Sequence, residues 1–290
     1  VSLRELSPPT GDGESSAVAK GGGGGFVAVG NPDGNLVLTQ NVQAFIAPAL
    51  LQAGGNVDVR SSSVVNSSAY ASNGGGGFVA VGDADANNDT NLSNRAYIGV
   101  DDGNGNIVGD NVVVEAQGHL RVSSESTLDA KVTTNSDAGG FVADVDATSS
   151  GTLNDETQVV AGSNARVTAR SVSMRSQWLH MNYTYRADAD AGGLYADAEA
   201  TSNGSVQPDT TTAIRSGAQV TGFEGVDLRA ITNDVDISEI GSADATGLFG
   251  GEDRFRDAAF EVDTLIDADA NALVTAGPRL FPGPGVPAID

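Results

Sequence analysis

The sequence has no cysteine, which removes disulfides, thiolate metal sites and thiol nucleophiles from consideration. His119 and His180 are its only histidines, and each sits within an alternating strand pattern. There is no Gly-x-Ser-x-Gly, no His-x-x-x-His and no phosphate-cradling loop leading into a helix. No apolar run approaches the roughly 20 residues of a membrane span, so membrane insertion is not expected. Aromatic residues make up only 5% of the chain, less filling than a compact sandwich core normally demands. A sustained i, i+3, i+4 apolar stripe is also missing, and Gly, Asn, Asp, Ser and Thr recur too often for long helices. Basic residues are scarce: 15 stand against 38 acidic ones, a formal net charge of −23, and only Lys20 and Lys131 are lysines. Such a surface repels nucleic acid and anionic lipid and suits divalent cations or basic partners.

What the chain does have is glycine, 38 residues of 290, arranged in a recurring phrase. The phrase reads Gly24-Gly25-Phe26-Val27-Ala28, Gly76-Gly77-Phe78-Val79-Ala80, Gly139-Gly140-Phe141-Val142-Ala143, Gly192-Gly193-Leu194-Tyr195-Ala196 and, worn, Gly247-Leu248-Phe249-Gly250. Successive copies are 52, 63, 53 and 54 residues apart. A repeat of this length implies a stacked array, because one such unit cannot bury its own apolar face. Between the glycine phrases lie alternating runs such as Val57-Asp58-Val59-Arg60, His119-Leu120-Arg121-Val122 and Ala165-Arg166-Val167-Thr168-Ala169. Their period of 2 predicts strands with one face inward and one outward. The inward residues are small or β-branched, the filling that narrow stacked coils require, and the glycine clusters are read as corners of positive φ.

The expected fold is therefore all-β: an elongated β-solenoid, a parallel β-helix of about five degenerate repeats of roughly 50–60 residues, spanning 21–277. Residues 1–20 read as an extended N-terminal arm, and 278–290, rich in Pro and Gly, as an extended tail. Two segments break the rhythm. Asp101-Asp102-Gly103-Asn104-Gly105-Asn106 is an insertion in the 63-residue step and predicts a protruding turn. Ser176–Tyr185 holds the only Trp; strict alternation places Trp178, His180, Asn182 and Thr184 on one face, with Leu179, Met181, Tyr183 and Tyr185 on the other.

The cycle of Val-x-Val-x-Ala-x-Ser, Ala-x-Ala-x-Ala-Gly-Gly and Thr-Ala-x-Ile-x-x-Gly-Ala is similar to repeats of giant secreted bacterial adhesins and filamentous-haemagglutinin-like surface proteins. Ala191-Gly192-Gly193-Leu194, Ala196-Asp197-Ala198-Glu199-Ala200-Thr201 and Thr212-Ala213-Ile214-Arg215-Ser216-Gly217-Ala218 carry the resemblance. It implies a β-solenoid at the cell surface or outside the cell, acting as stalk, adhesin or matrix component, and it implies no catalytic residues.

Three sets of site residues follow. Asp83/Asp85, Asp144/Asp146, Asp188/Asp190 and Asp197/Glu199 flank the glycine phrase two apart, so stacked coils would line them into carboxylate ladders. Calcium, which takes hard oxygen ligands, is the ion they would bind; a solvated acidic face is the other reading, and no cofactor is required. Trp178, His180, Tyr183 and Tyr185 would form an aromatic platform for glycans or other surface proteins, or else a packed patch. Leu280, Phe281 and Val286 in the tail would contact a neighbouring subunit, since open solenoid ends expose unpaired strand edges that head-to-tail association would satisfy. The leading expectation is a structural rod acting as filament, matrix or stalk subunit and not an enzyme. An adhesin module and a β-helical polysaccharide-degrading enzyme are the alternatives.

Overall fold

The computed structural model describes residues 2–6, 15–103 and 106–277. Among them there is no helix. The strands are β1 (Ser2–Leu6), β2 (Ser15–Lys20), β3 (Gly23–Gly30), β4 (Asp33–Ile46), β5 (Leu50–Ala53), β6 (Val57–Ile98), β7 (Val100–Asp101), β8 (Ile107–Val108), β9 (Val113–Ala161), β10 (Arg166–Ile214), β11 (Gln219–Thr232), β12 (Val235–Phe260), β13 (Asp263–Ala268) and β14 (Leu273–Ala276). All but β7 and β8 belong to one twelve-stranded sheet, and every pairing in it is parallel.

The register shows that each repeat is one turn of a solenoid. Gly24 lies beside Gly76, Gly76 beside Gly139, Gly139 beside Gly192 and Gly193 beside Gly247. The sequence steps of 52, 63, 53 and 54 residues are therefore coil lengths. The first coil is β1–β4, the second β5–β6, the third β9, the fourth β10 and the fifth β11–β13; β14 begins a sixth by pairing with β11.

Each coil is a flattened wedge. In the fourth, the chain runs out along 171–192, folds at Gly193-Leu194 and returns to Ile214, so that the two limbs face each other across the core. The Oγ of Ser176 on one limb lies 2.9 Å from Oγ1 of Thr212 on the other. A returning limb of about 20 residues is on the order of 65 Å long at strand rise. The core changes along that length. The broad end mixes alanines with Met174 and branched side chains, among them Val59, Ile98, Val122, Val167 and Ile214. The middle takes Leu128, Leu153, Trp178, Met181, Tyr183 and Tyr185. Near the fold the core is alanine with one valine, including Ala143, Ala189, Ala191, Ala198 and Ala200. Side-chain size is greatest in the middle and falls to alanine near the fold, and the point of the wedge is glycine.

Two kinds of corner close the coil. At the broad end Asn111, Asn164, Gly217 and Asn271 take φ of 64, 62, 73 and 63°, each third in a turn closed by Gly109–Val112, Gly162–Ala165, Arg215–Ala218 or Asp269–Ala272 hydrogen bonds of 2.9–3.1 Å. Asn and Gly tolerate that conformation. At the point of the wedge the reason for glycine differs from the sequence expectation, since Gly25 alone of the phrase has positive φ. There the second glycine is needed for close approach. A Cβ on Gly77 would collide with the carbonyl oxygen of Gly25, one on Gly140 with Gly77, one on Gly193 with Gly140 and one on Gly247 with Gly193. The pairing skips a single rung at this fold, that of Phe141 and Leu194, and resumes in the same register, which is why β9 and β10 each count 49 residues.

One boundary needs correction. Ser2–Leu6 and Ser15–Lys20 pair in parallel with β6 and belong to the first coil rather than to a free arm. Ala17 and Ala19 stack on the buried Ala69 and Ala71; residues 7–14, with Pro8-Pro9 and Gly11-Asp12-Gly13, lie outside the described residues. The insertion in the second step is a short hairpin as expected, with Val100 opposite Val108 and Asp101 opposite Ile107; it projects between two coils whose ladder is unaffected.

The glycine ladder is testable by two adjacent substitutions. Gly193→Ala should cost about 1–3 kcal/mol through overpacking. Gly192→Ala, where an added Cβ meets nothing within 4 Å, should change stability by less than about 0.5 kcal/mol. Urea denaturation midpoints of the two variants check this.

Candidate interaction surface

Residues that stack on one another in successive coils form three kinds of ladder on this solenoid. The first is aromatic. Phe26, Phe78 and Phe141, each just after a glycine pair, stack with ring centroids 5.0 and 4.9 Å apart. Tyr195 continues the row edge-on at 6.0 Å, and Phe249 stacks on Tyr195 at 5.0 Å. The row shifts by one residue because Leu194 and Leu248 hold the earlier position. All five rings are 42–73% exposed, so the narrow edge of the solenoid is a continuous aromatic ridge. The sequence reading used these residues only to set the repeat; the recurrence of Phe at one position of the phrase was the available signal.

The second kind is acidic. Asp83, Asp146, Glu199 and Asp253 are successive rungs, as are Asp144 and Asp197, Asp137, Asp190 and Asp244, and Asp33 and Asp85. Rungs in a parallel sheet are about 4.8 Å apart, so like charges face one another. Partial burial first, then the charges of Asp144, Glu199, Asp83 and Asp197, push Asp146 up to about 6. Partial burial and then Asp190 and Asp188 raise Asp137; partial burial and then Asp83 raise Asp85, against a hydrogen bond from Thr148. Of the eight sequence-predicted calcium ligands, Asp83, Asp146 and Glu199 share one ladder, Asp144 and Asp197 another, and Asp190 a third. Asp85 lies against Thr148, and Asp188 is paired with Arg186 at 2.6 Å. Among the described residues, no group of three or more His, Asp or Glu side chains is placed to hold a metal ion. Side chains of one ladder project side by side from a flat sheet and do not converge.

The third kind lies inside. The aromatic platform expected at Trp178, Tyr183 and Tyr185 is not on the surface: all three are fully buried. A bulge between Trp178 and His180 shifts the register by one, leaving Leu179 exposed and turning Trp178 to the same side as Met181, Tyr183 and Tyr185. Tyr183 and Tyr185 lie 4.5 Å apart and donate to the carbonyls of Asn88 and Gly151 at 2.6 and 3.2 Å; burial raises both phenols above their ordinary pKa. Of the four residues only His180 reaches the surface, where Nδ1 lies 2.7 Å from Oδ2 of Asp234 on the next rung. His119 meets Ser171 in the same way, at 2.5 Å. Leu280, Phe281 and Val286 lie outside the described residues.

Trp178 is anchored by a buried carboxyl that the sequence reading passed over. Its Nε1 donates to Oδ2 of Asp155 at 2.6 Å, and the Thr157 hydroxyl donates to the same oxygen at 2.8 Å. Oδ1 of Asp155 is buried without a described partner. Burial pushes Asp155 well above the carboxylate range, against the pull of Thr157 and Trp178.

No protein-family model, curated protein sequence or solved structure matches the chain significantly.

Two pH effects follow. A carboxyl raised in the folded chain binds its proton more tightly there than when unfolded. Its contribution is thus complete below the ordinary range near 4 and is lost as pH rises towards the raised value. For a fully buried group such as Asp155 the slope is about 1.4 kcal/mol per pH unit over that interval. Asp155→Asn, which keeps an acceptor for Trp178, should raise the unfolding midpoint at pH 8 and lose that advantage by pH 4. Asp146→Asn should act in the same direction between about pH 4 and 6, but by less than about 1 kcal/mol because its side chain is screened by solvent. Thermal melts across this pH range read both; a rise in midpoint with pH for the unsubstituted chain would refute the assignment.

Proposed function

We propose that this chain is an extracellular structural protein, a stiff β-solenoid module of a stalk, matrix or filament that associates through its coil ends. The observation that carries this reading is the near-continuous parallel pairing from coil to coil, with register shifts between Ala169 and Ser171 and between Trp178 and His180. Almost every residue of β9 has a partner one coil away in β10 and another in β6, so deformation at one point is resisted by ladder bonds along the whole coil. The acidic outer ladders keep such a flat, strand-rich body from sticking face to face. The resemblance to secreted adhesin repeats agrees in composition with both the location and the mechanical role.

A second reading, an adhesin module, is favoured by the aromatic ridge. Five exposed rings in a row, with carboxylates on both flanks, offer a stacking edge for sugars or for a basic, apolar-faced protein partner. In that case Phe78→Ser with Phe141→Ser would abolish surface binding and leave the fold intact.

Negative-stain electron microscopy of the purified chain, with calcium and then with a chelator, tests the first reading. Particles joined through their coil ends are expected. Loss of the joints on chelation would assign calcium to the acidic ladders. Single unjoined bodies in both conditions would overturn end-to-end association and leave the adhesin reading.

A further inference from the structure

The outer surface of the outgoing limbs is not uniformly acidic. At its broad end, in coils two to five, Arg60, Ser123, Arg175 and Arg229 lie on successive rungs, and Arg121 lies one row away. The carboxylates of the same rows are Asp58, Glu125 and Asp227. Arg60 and Arg121 pair with Glu125, the latter at 3.4 Å, and Arg229 pairs with Asp227 at 2.9 Å. Four arginines thus meet three carboxylates, on a chain whose 15 basic residues face 38 acidic ones. Arg175 has no ion pair among the described residues, and its Nε is buried without a described partner. Four residues beyond Arg60 and Arg175 come Val64 and Leu179, which are 59% and 42% exposed. The arginine row therefore has an apolar neighbour about 13 Å towards the point of the wedge.

The aromatic ridge repeats this spacing with the opposite charge. Phe78 and Phe141 precede Asp83 and Asp146 by five residues, and Tyr195 and Phe249 precede Glu199 and Asp253 by four. Those acidic residues form one ladder, and it lies about 13–16 Å from the row of rings. The four rings are 42–55% exposed. Nearly parallel rings 4.9 and 5.0 Å apart cover one another's faces, so the row turns its edges outward as a narrow apolar strip.

We propose that this acid-flanked ridge binds the arginine-rich stripe of a second copy, packing solenoids side by side. The outgoing and returning limbs face opposite ways. A copy moved by translation alone therefore lays its returning limb on its neighbour's outgoing limb, with the coils in step. A stagger of about 13 residues, on the order of 43 Å at strand rise, sets the row of rings over Val64 and Leu179 of the second copy. Asp83 then meets Arg60 of that copy, Glu199 meets Arg175 and Asp253 meets Arg229, while Asp146 falls between Ser123 and Arg121. A second copy supplies cations at the pitch of the carboxylates, because both columns take their spacing from the rise of one coil. Acidic ladders repel one another, so the arginine stripe is where a returning limb can land. The overlap runs from Val57 to Val64, about 23 Å, across four coils about 4.8 Å apart, or on the order of 450 Å² per copy. That area is at the low end for specific interfaces and suits a weak contact repeated along an array. A contact between two different patches does not close, so it continues from copy to copy. This inference rests on the structural-module reading above and adds a lateral contact to it.

Sedimentation velocity of the full chain over a concentration series, with negative-stain images of the same samples, provides the test. Reversible growth beyond the 29.2 kDa chain, with bodies lying side by side, is expected. Phe78→Ser with Phe141→Ser removes the ridge, and Arg175→Glu with Arg229→Glu removes the stripe. Each double variant should weaken lateral growth by at least about tenfold. Mixed in equal amounts, the two should form a dimer and nothing larger, because one keeps an intact stripe and the other an intact ridge. A misfolded variant could not complement in this way. Lateral growth unchanged in either variant, or no dimer in the mixture, would overturn the proposal. Bodies joined only through their coil ends would overturn it and leave end-to-end association in place, whereas single bodies at every concentration would overturn both.

Discussion

Everything in this molecule depends on one constraint: each coil must lie in parallel register on the coil before it, about 53 residues away in the chain. Backbone bonds repeated at every second residue fix that register, and side chains then have no freedom to choose their neighbours. Glycine falls on glycine at the fold, Ala191 on Ala138 and Ala200 on Ala147 in the narrow core, and Val172 on Leu120 and Met174 on Val122 at the broad end. The wedge shape follows from this stacking, because a small residue in one coil would leave a void unless the coils above and below were small at the same place.

The same rule brings costs as well as stability. Like charges are set one above another, and Asp146 is raised first by partial burial and then by its four acidic neighbours. Buried polar residues are likewise arrayed in rows. Ser126 meets Thr157 and Ser176 meets Thr212 across the core, where hydroxyl pairs can satisfy one another. Asp155 is the exception in that band, a carboxyl with one oxygen engaged twice and the other idle. It holds the indole of Trp178 in place, and in its protonated form it spares the core a buried charge.

Much of this was legible in the sequence. Gly-Gly-Phe and its spacing gave the coil length, and Val57-x-Val59 or Leu120-x-Val122 gave the inward face. The orientation of Trp178 was not legible, because a one-residue bulge at Leu179 inverts alternation and has no signature of its own in side-chain type. The alanines at 17 and 19 were hidden by the polar residues around them, so a strand passed for an arm. Ladders of exposed Phe and Tyr become visible only when the copies are aligned rung by rung, since each ring is isolated within its own coil. The same alignment is needed to see that Glu252, Arg254 and Arg256 occupy positions held elsewhere by Ala and Ser. Carboxylates two apart fall in rows at Asp83, Asp146 and Glu199 and at Asp144 and Asp197, whereas Asp188 meets Asn135 and Ser242.

The hairpin of β7 and β8 shows where such a chain can change length. It accounts for most of the difference between a 63-residue coil and its neighbours of 52 and 53, yet the rungs before and after it keep their partners. Additions inside a limb would shift every later rung; additions at the broad-end junction shift none. That junction is a tolerant grafting point repeated at each turn, so new loops can be hung at intervals set by the rise of one coil. The solenoid thereby acts as a molecular ruler whose graduations are fixed by the backbone and whose markings are free to vary.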